Sequence, residues 1–425
     1  MKITRYTGDP GILKRTELKT EDFDAVVKEI IENVKAKGDE ALTYYTDKFD
    51  HVHVEQFRVP EEEFSEAVTA VGPEFMEILK KAADRIERFH NSQKRQSQII
   101  HEANGTMLGT LIIPLSRVGV YVPGGKALYP SSVLMNIMPA KVAGVEEIIM
   151  ITPPQRDGKV DPRVLAAAEV CGVKSVYKVG GAQAVAALAY GTEQVPRVDK
   201  IVGPGNIFVA TAKKLVSGQV SVDSIAGPSE ILILADDSAD PELMAADMLS
   251  QAEHDEMAGS ILITDSEQLA NDVALALDEQ TAQAPRRTVI EASLANRGMI
   301  LLVRDLKEGV EMANTYAPEH MEIVTRDPFN YVPLIKNAGA IFVGPNSPEP
   351  LGDYMAGPNH VLPTGGSARF FSPLGVDDFI KRSSLLYISE SGLKELGDDV
   401  ITFAEEEKLY AHANAIRLRL KGQKQ

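Results

Sequence analysis

SVDSIAGPSEILILADDSADPELMAADMLSQAEHD, residues 221–255, reads as a polar loop, a buried strand and a helix in succession. The apolar run ILILA at 231–235 has the length and continuity of a strand covered on both faces. AGPSE precedes it, and the Gly-Pro pair sets a turn from which Ser229 projects. Pro241 follows Asp240 at a helix start, and Gln251 and His254, spaced i and i+3 near the end of that helix, share a face that could meet a metal. The same pair also reads as an ordinary helix end, with a histidine favoured by the negative end of the dipole.

Working outward, the strand and helix signals recur on both sides. Before this stretch, VGVYV, EEIIMI, SVYKV, DKIVG and QVSV alternate with helical patterns, and after it come ILITD, GMILLVRD, HMEIVTRD and GAIFVG. Such alternation predicts an α/β protein with two doubly wound parallel sheets, each an incomplete Rossmann-like domain. The N-terminal region reads as helical: TEDFDAVVKEIIENVKAKG carries an apolar stripe at Phe23, Val26, Val27, Ile30, Ile31 and Val34 and ends at Gly38. Further helical patterns run over 61–71 and 73–100, the latter opening with Pro73. Residues 344–373 form a Gly/Pro-rich connection with five glycines and six prolines, a length more often functional than accidental. From Val376 the chain reads as a helical tail. The expected organisation is an N-terminal segment at 1–20, a first α/β domain of 21–116 plus 229–373, an inserted α/β domain at 117–228, and a tail at 374–425.

Composition narrows the class. At 425 residues, 44% apolar and 25% charged, the chain has the balance of a globular protein with large cores. A net charge of −17 without a basic run opposes nucleic-acid binding. The N-terminus lacks a signal-peptide core, and no apolar stretch reaches about 18 residues, so no membrane association and a cytoplasmic setting are expected. The single cysteine, Cys171, closes an apolar helix before Gly172 and reads as a packing residue, so metal ligands must be nitrogen and oxygen atoms. His51 and His53, in DHVHV, have no third ligand nearby in sequence and read as surface residues.

Each of the last four histidines stands near a carboxylate or amide: Gln251 with His254, Glu319 with His320 in APEH, Asp353 with His360 in GDYMAGPNH, and Glu407 with His412 in EKLYAH. The helix around Glu407 also reads as a plain acidic surface. The loops VPGGK, VGGAQ and VGPGN follow strands and admit a nucleotide phosphate, although none is a G-x-G-x-x-G fingerprint and tight strand-to-helix turns would look the same.

These motifs, with AGPSE and VGGAQAVAA, resemble bacterial histidinol dehydrogenase essentially from end to end. The resemblance implies an NAD-coupled, zinc-dependent four-electron oxidation of L-histidinol, through L-histidinaldehyde, to L-histidine. It implies zinc, one per subunit, on Gln251, His254, Asp353 and His412; residue type alone would equally admit manganese or iron. It implies NAD at Tyr121, Gln183 and Asn206, acid/base roles for Glu319 and His320, and substrate contacts at Ser229, His360 and Glu407 in addition to the metal and acid/base residues. It also implies an intertwined homodimer in which the tail supplies Glu407 and His412 to the partner's site. From the residues alone, two rivals remain: a metallohydrolase using the same side chains to activate water, and a non-catalytic nucleotide sensor.

Overall fold

The structure, a computed structural model, describes residues 1–13, 15, 20–124, 129–224 and 227–422. Ala226 of AGPSE and Gly125 and Lys126 of VPGGK lie outside them. The strands in chain order are β1 (Ile3–Arg5), β2 (Gln98–His101), β3 (Met107–Pro114), β4 (Arg117–Tyr121), β5 (Glu147–Thr152), β6 (Val176–Lys178) and β7 (Lys200–Val202). They continue as β8 (Ser221–Val222), β9 (Glu230–Ala235), β10 (Gly259–Thr264), β11 (Gly298–Leu302), β12 (His320–Val324), β13 (Ala340–Val343) and β14 (Ile380–Tyr387). The chain divides into two units, one of 1–93 and 115–379, the other of 94–114 and 380–425.

The first unit is α/β, with two parallel sheets as the alternation predicts. One runs β6-β5-β4-β7-β8 and the other β1-β11-β10-β9-β12-β13. Both wind the same way: three strands step outward in one direction, then the chain returns beside the first and steps the other way. Each sheet therefore has a switch point, between β4 and β7 and between β9 and β12, where the loops diverge and leave a crevice. Leu232, Ile233 and Leu234 of β9 are fully buried, each contributing about 1.5–3 kcal/mol by removal from water. This is why that strand reads as an unbroken apolar run.

Helices cover both faces of each sheet. On the β4 sheet, Pro130–Ala143 and Pro162–Val170 lie on one face with the long helix Glu61–Asn91, and Gly181–Tyr190 and Ile207–Val216 lie on the other with Asp24–Lys37 and Asp39–Asp50. On the β9 sheet, Pro241–Ala252, Glu267–Gln283 and Arg287–Arg297 share a core on one face, and Leu306–Tyr316 packs on the other. Asp240 caps Pro241–Ala252 by accepting from the Glu242 N–H at 2.9 Å, which starts the helix where the sequence places it.

The helices of 21–91, expected with 229–373, pack on the β4 sheet: their apolar faces, Val27, Ile30, Ile31 and Val34 on one and Leu79, Ala82, Ala83 and Ile86 on another, complete the cover of that sheet, whose own crossovers supply only two helices per face. Three expectations need correcting. The second long helix ends at Asn91, not at 100, because Gln98–His101 pairs as β2 with β3. Its break at Gly72 is real, with φ +75° there ahead of Pro73. The tail is not wholly helical: β14 pairs antiparallel with β3 along its full length, which puts 94–114 with 380–425. The connection 344–373 is not all loop, since Glu349–Tyr354 is a helix. In the second unit the β14-β3-β2 sheet is accompanied by helices Glu390–Glu406 and Tyr410–Gly422, which pack on each other.

Cys171 is fully buried, and burial pushes its thiol up to about 12, consistent with packing rather than chemistry. His51 and His53 are exposed. Among the described residues, no helix is long and apolar enough to cross a membrane.

Candidate active site

A cleft of about 690 Å³ opens between the carboxyl ends of β4 and β7 and the amino ends of β9 and β12. The two sheets thus meet it with opposite edges. The β4 sheet contributes Pro123, Gly124 and the turn 203–206; the β9 sheet contributes 227–229, Glu319 and His320; His254, Asp353 and His360 complete the wall. Of the residues singled out from sequence, Asn206, Ser229, His254, Glu319, His320, Asp353 and His360 are brought together here.

Glu230, the first residue of β9, orients both members of the APEH pair through its backbone. Its N–H donates to Glu319 Oε2 at 2.9 Å, and its carbonyl accepts from His320 Nδ1 at 3.1 Å. With Nδ1 committed as a donor, Nε2 of His320 carries the lone pair, and that atom is buried without a hydrogen-bond partner. Burial pushes the imidazole down to about 4, against the pull of Asp353, so the ring is neutral at cellular pH. Burial raises the Glu319 carboxyl well above its ordinary range, and the nearby Glu230, Asp353 and Glu349 carboxylates push it the same way. An imidazole held toward its neutral form and a carboxyl held toward its protonated form therefore lie side by side, with His320 Nδ1 3.7 Å from Glu319 Oε2.

His360 is held from both ring nitrogens, Nδ1 by the Asp353 carbonyl at 3.0 Å and Nε2 by Ser132 Oγ at 3.2 Å, and burial lowers its proton affinity. Glu349 and Asp353 stand one turn apart on Glu349–Tyr354, on the same face, and ligand atoms of His254, Glu349 and Asp353 all lie within 4.8 Å of one another. Glu349 is almost fully buried; burial first, and then Asp353, push its carboxyl well above the usual carboxylate range. Gln251, one turn before His254, is fully buried with neither amide atom partnered. An unsatisfied buried amide one turn from His254, with two carboxyls grouped about that imidazole, is a nitrogen-and-oxygen donor set that fits a divalent cation such as zinc.

Glu349 was not visible as a site residue in the sequence. The signal was its i, i+4 spacing to Asp353, lost when the segment is read as loop. Also missed is the buried pair of Lys213 and Asp223 behind the turn at 203–206. Lys213 Nζ donates to the Gly203 carbonyl at 3.0 Å and to Asp223, which accepts from the Gly203 N–H at 2.7 Å. Gly203 sits at φ +110°, and a Cβ there would run into the Tyr121 carbonyl, so β4 and the turn after β7 touch backbone to backbone.

Tyr121 and Gln183 do not line this cleft among the described residues. Both are buried, Tyr121 at the end of β4 and Gln183 in the helix Gly181–Tyr190: Tyr121 Oη accepts from the Gly181 N–H at 3.1 Å, and the Gln183 amide has no partner on either atom. Asn206 caps Ile207–Val216, accepting from Phe208 N–H at 3.1 Å and Val209 N–H at 3.2 Å. Glu407 and His412 belong to the second unit, where both are exposed.

A profile of the histidinol dehydrogenase family matches residues 13–420. The histidinol dehydrogenase of Clostridium acetobutylicum is 54% identical over 395 residues, 93% of this chain and 92% of that one. That of Syntrophotalea carbinolica is 53% identical over 413 residues, 97% of this chain and 96% of that one. The crystal structure of histidinol dehydrogenase from Elizabethkingia anophelis superposes with a TM-score of 0.95 at 36% identity, covering 100% of this chain and 99% of that one.

Proposed function

We propose, from the premise that this chain belongs to the histidinol dehydrogenase family, that it oxidises L-histidinol through L-histidinaldehyde to L-histidine with NAD and zinc, as the closing step of histidine biosynthesis in the cytoplasm. The observation that carries the chemistry is the unpartnered Nε2 of a buried, neutral His320 beside a buried acid. Family membership leaves no ground for the hydrolase or sensor readings.

In this proposal His320 Nε2 takes the proton of the alcohol, and Nδ1, tied to the Glu230 carbonyl, keeps the ring in the tautomer able to do so. Glu319 activates the water that adds to the aldehyde, which requires its proton to leave. As Glu319 takes a proton from the attacking water, His320 returns its own proton to the aldehyde oxygen, and it then accepts the hydroxyl proton of the hydrate as the second hydride leaves. Ser229 and His360 contact the substrate from the walls of the cleft.

Gln251, His254, Asp353 and His412 would hold the zinc, which supplies Lewis-acid anchoring of the substrate's nitrogen atoms. Tyr121, Gln183 and Asn206 would hold NAD, which supplies a two-electron acceptor for each oxidation; the unsatisfied Gln183 amide supports that placement. A homodimer in which the tail gives Glu407 and His412 to the partner's site completes the proposal. It is supported by the apolar surface of the second unit, where Leu386, Tyr387, Phe403, Tyr410 and Leu418 are all exposed.

His254→Ala tests the assignment. Removal of the imidazole should lower zinc retained after dialysis and histidinol turnover together, with the far-UV circular dichroism unchanged. Full zinc content with undiminished turnover would remove His254 from the site.

A further inference from the structure

Glu230 orients Glu319 and His320 with its backbone, so whatever fixes Glu230 fixes them. Its side chain is 1% exposed and fully occupied. Arg15 Nε donates to Oε2 at 2.8 Å and Arg15 Nη2 to Oε1 at 2.8 Å, Tyr316 Oη donates to Oε2 at 2.6 Å, and the Gly365 N–H donates to Oε1 at 3.0 Å. The same guanidinium lies 3.6 Å over the Tyr316 ring. It also donates to the Tyr316 carbonyl and, at 3.2 Å, to the Ala317 carbonyl. Ala317 has φ +52°, a left-handed conformation that a non-glycine residue holds only under restraint, and it ends Leu306–Tyr316 immediately before Pro318 and the APEH pair.

One guanidinium thus grips both segments that deliver the acid/base pair: the start of β9, through the Glu230 carboxylate, and the turn into β12, through two carbonyls. Its planar fork of donors is suited to that task, and a lysine ammonium could not make all four contacts in one geometry. We infer that Arg15 is a positioning residue for the acid/base pair, holding Glu319 and His320 in their reactive orientation through Glu230 and the Tyr316–Ala317 turn. The inference rests on the proposed roles of Glu319 and His320.

The test uses the full-length, zinc-loaded enzyme with histidinol and NAD. Arg15→Ala should lower kcat at least tenfold while KM for NAD and the zinc content hold. Guanidinium ion at millimolar concentration should restore several-fold of the lost kcat in this variant and none in wild type. The imidazole ¹⁵N resonances of His320, assigned by comparison with His320→Asn, should move from the Nδ1–H form toward a tautomer mixture. Arg15→Lys keeps the charge without the fork and should remain at least fivefold below wild type; it carries the test if Arg15→Ala does not fold. A folded variant with kcat within twofold of wild type, or with the His320 resonances unmoved, overturns the inference. Glu319→Gln and His320→Asn are measured alongside: wild-type kcat in both would overturn the acid/base reading itself, whereas their loss beside an unaffected Arg15 variant would overturn only the role of Arg15.

Discussion

Glu319→Gln is expected to slow the oxidation of supplied histidinaldehyde by about 10²–10⁴-fold, the range for removal of a general acid/base, while slowing the alcohol step by less than about tenfold. The substitution keeps size and keeps an oxygen to accept the Glu230 N–H at 2.9 Å, so the backbone around His320 should not move. What is lost is a group that can take a proton from water, needed only when water adds to the aldehyde. The pH dependence follows from the direction of the shift. The Glu319 carboxyl is held well above its ordinary range, so the ionised, water-activating form gains population only above the pH at which an ordinary carboxyl ionises, and aldehyde oxidation by the wild type should climb with pH. In the glutamine variant that climb should flatten. Stopped-flow measurement of each half-reaction across pH would show both. Equal loss in the two steps would mean that Glu319 acts by placement and not as a base.

Lys213→Ala is expected to cost about 3–5 kcal/mol of stability, because the ammonium and the Asp223 carboxylate are both buried and removal of one leaves the other uncompensated. The loss should extend to function. The pair clamps Gly203 from its N–H and its carbonyl, and Gly203 opens the turn ending in Asn206, so NAD should bind more weakly in whatever fraction stays folded. Urea denaturation and KM for NAD check the two effects separately. A variant within about 1 kcal/mol of wild type would mean that Asp223 finds another partner or a proton.

The contrast between these two residues shows what the sequence makes legible. Glu319 and His320 stand in a short motif in front of an apolar strand, and local periodicity placed both the strand and the motif. The doubly wound alternation was readable for the same reason: ILILA at 231–235 must be a strand of a sheet covered on both faces, and all five residues are buried. Lys213 and Asp223, by contrast, sit ten residues apart with nothing in between to mark them as partners. Arg15 and Glu230 are 215 residues apart. A helix's apolar stripe shows that it packs, not against which sheet, and so the sequence does not reveal that the helices of 21–91 cover the β4 sheet. β2 and β14 leave no mark in the sequence because they lack a buried face: all four residues of β2 are exposed, and β14 shows only two partly buried positions in eight. Periodicity has no signal there, and only the antiparallel ladder with β3 defines them.

A four-electron oxidation at one site is open to counting. Purified enzyme with limiting L-histidinol and excess NAD should produce two NADH for each histidinol consumed, with L-histidine as the product and no aldehyde accumulating. One NADH per histidinol with free histidinaldehyde, or consumption of histidinol without NADH, would contradict it.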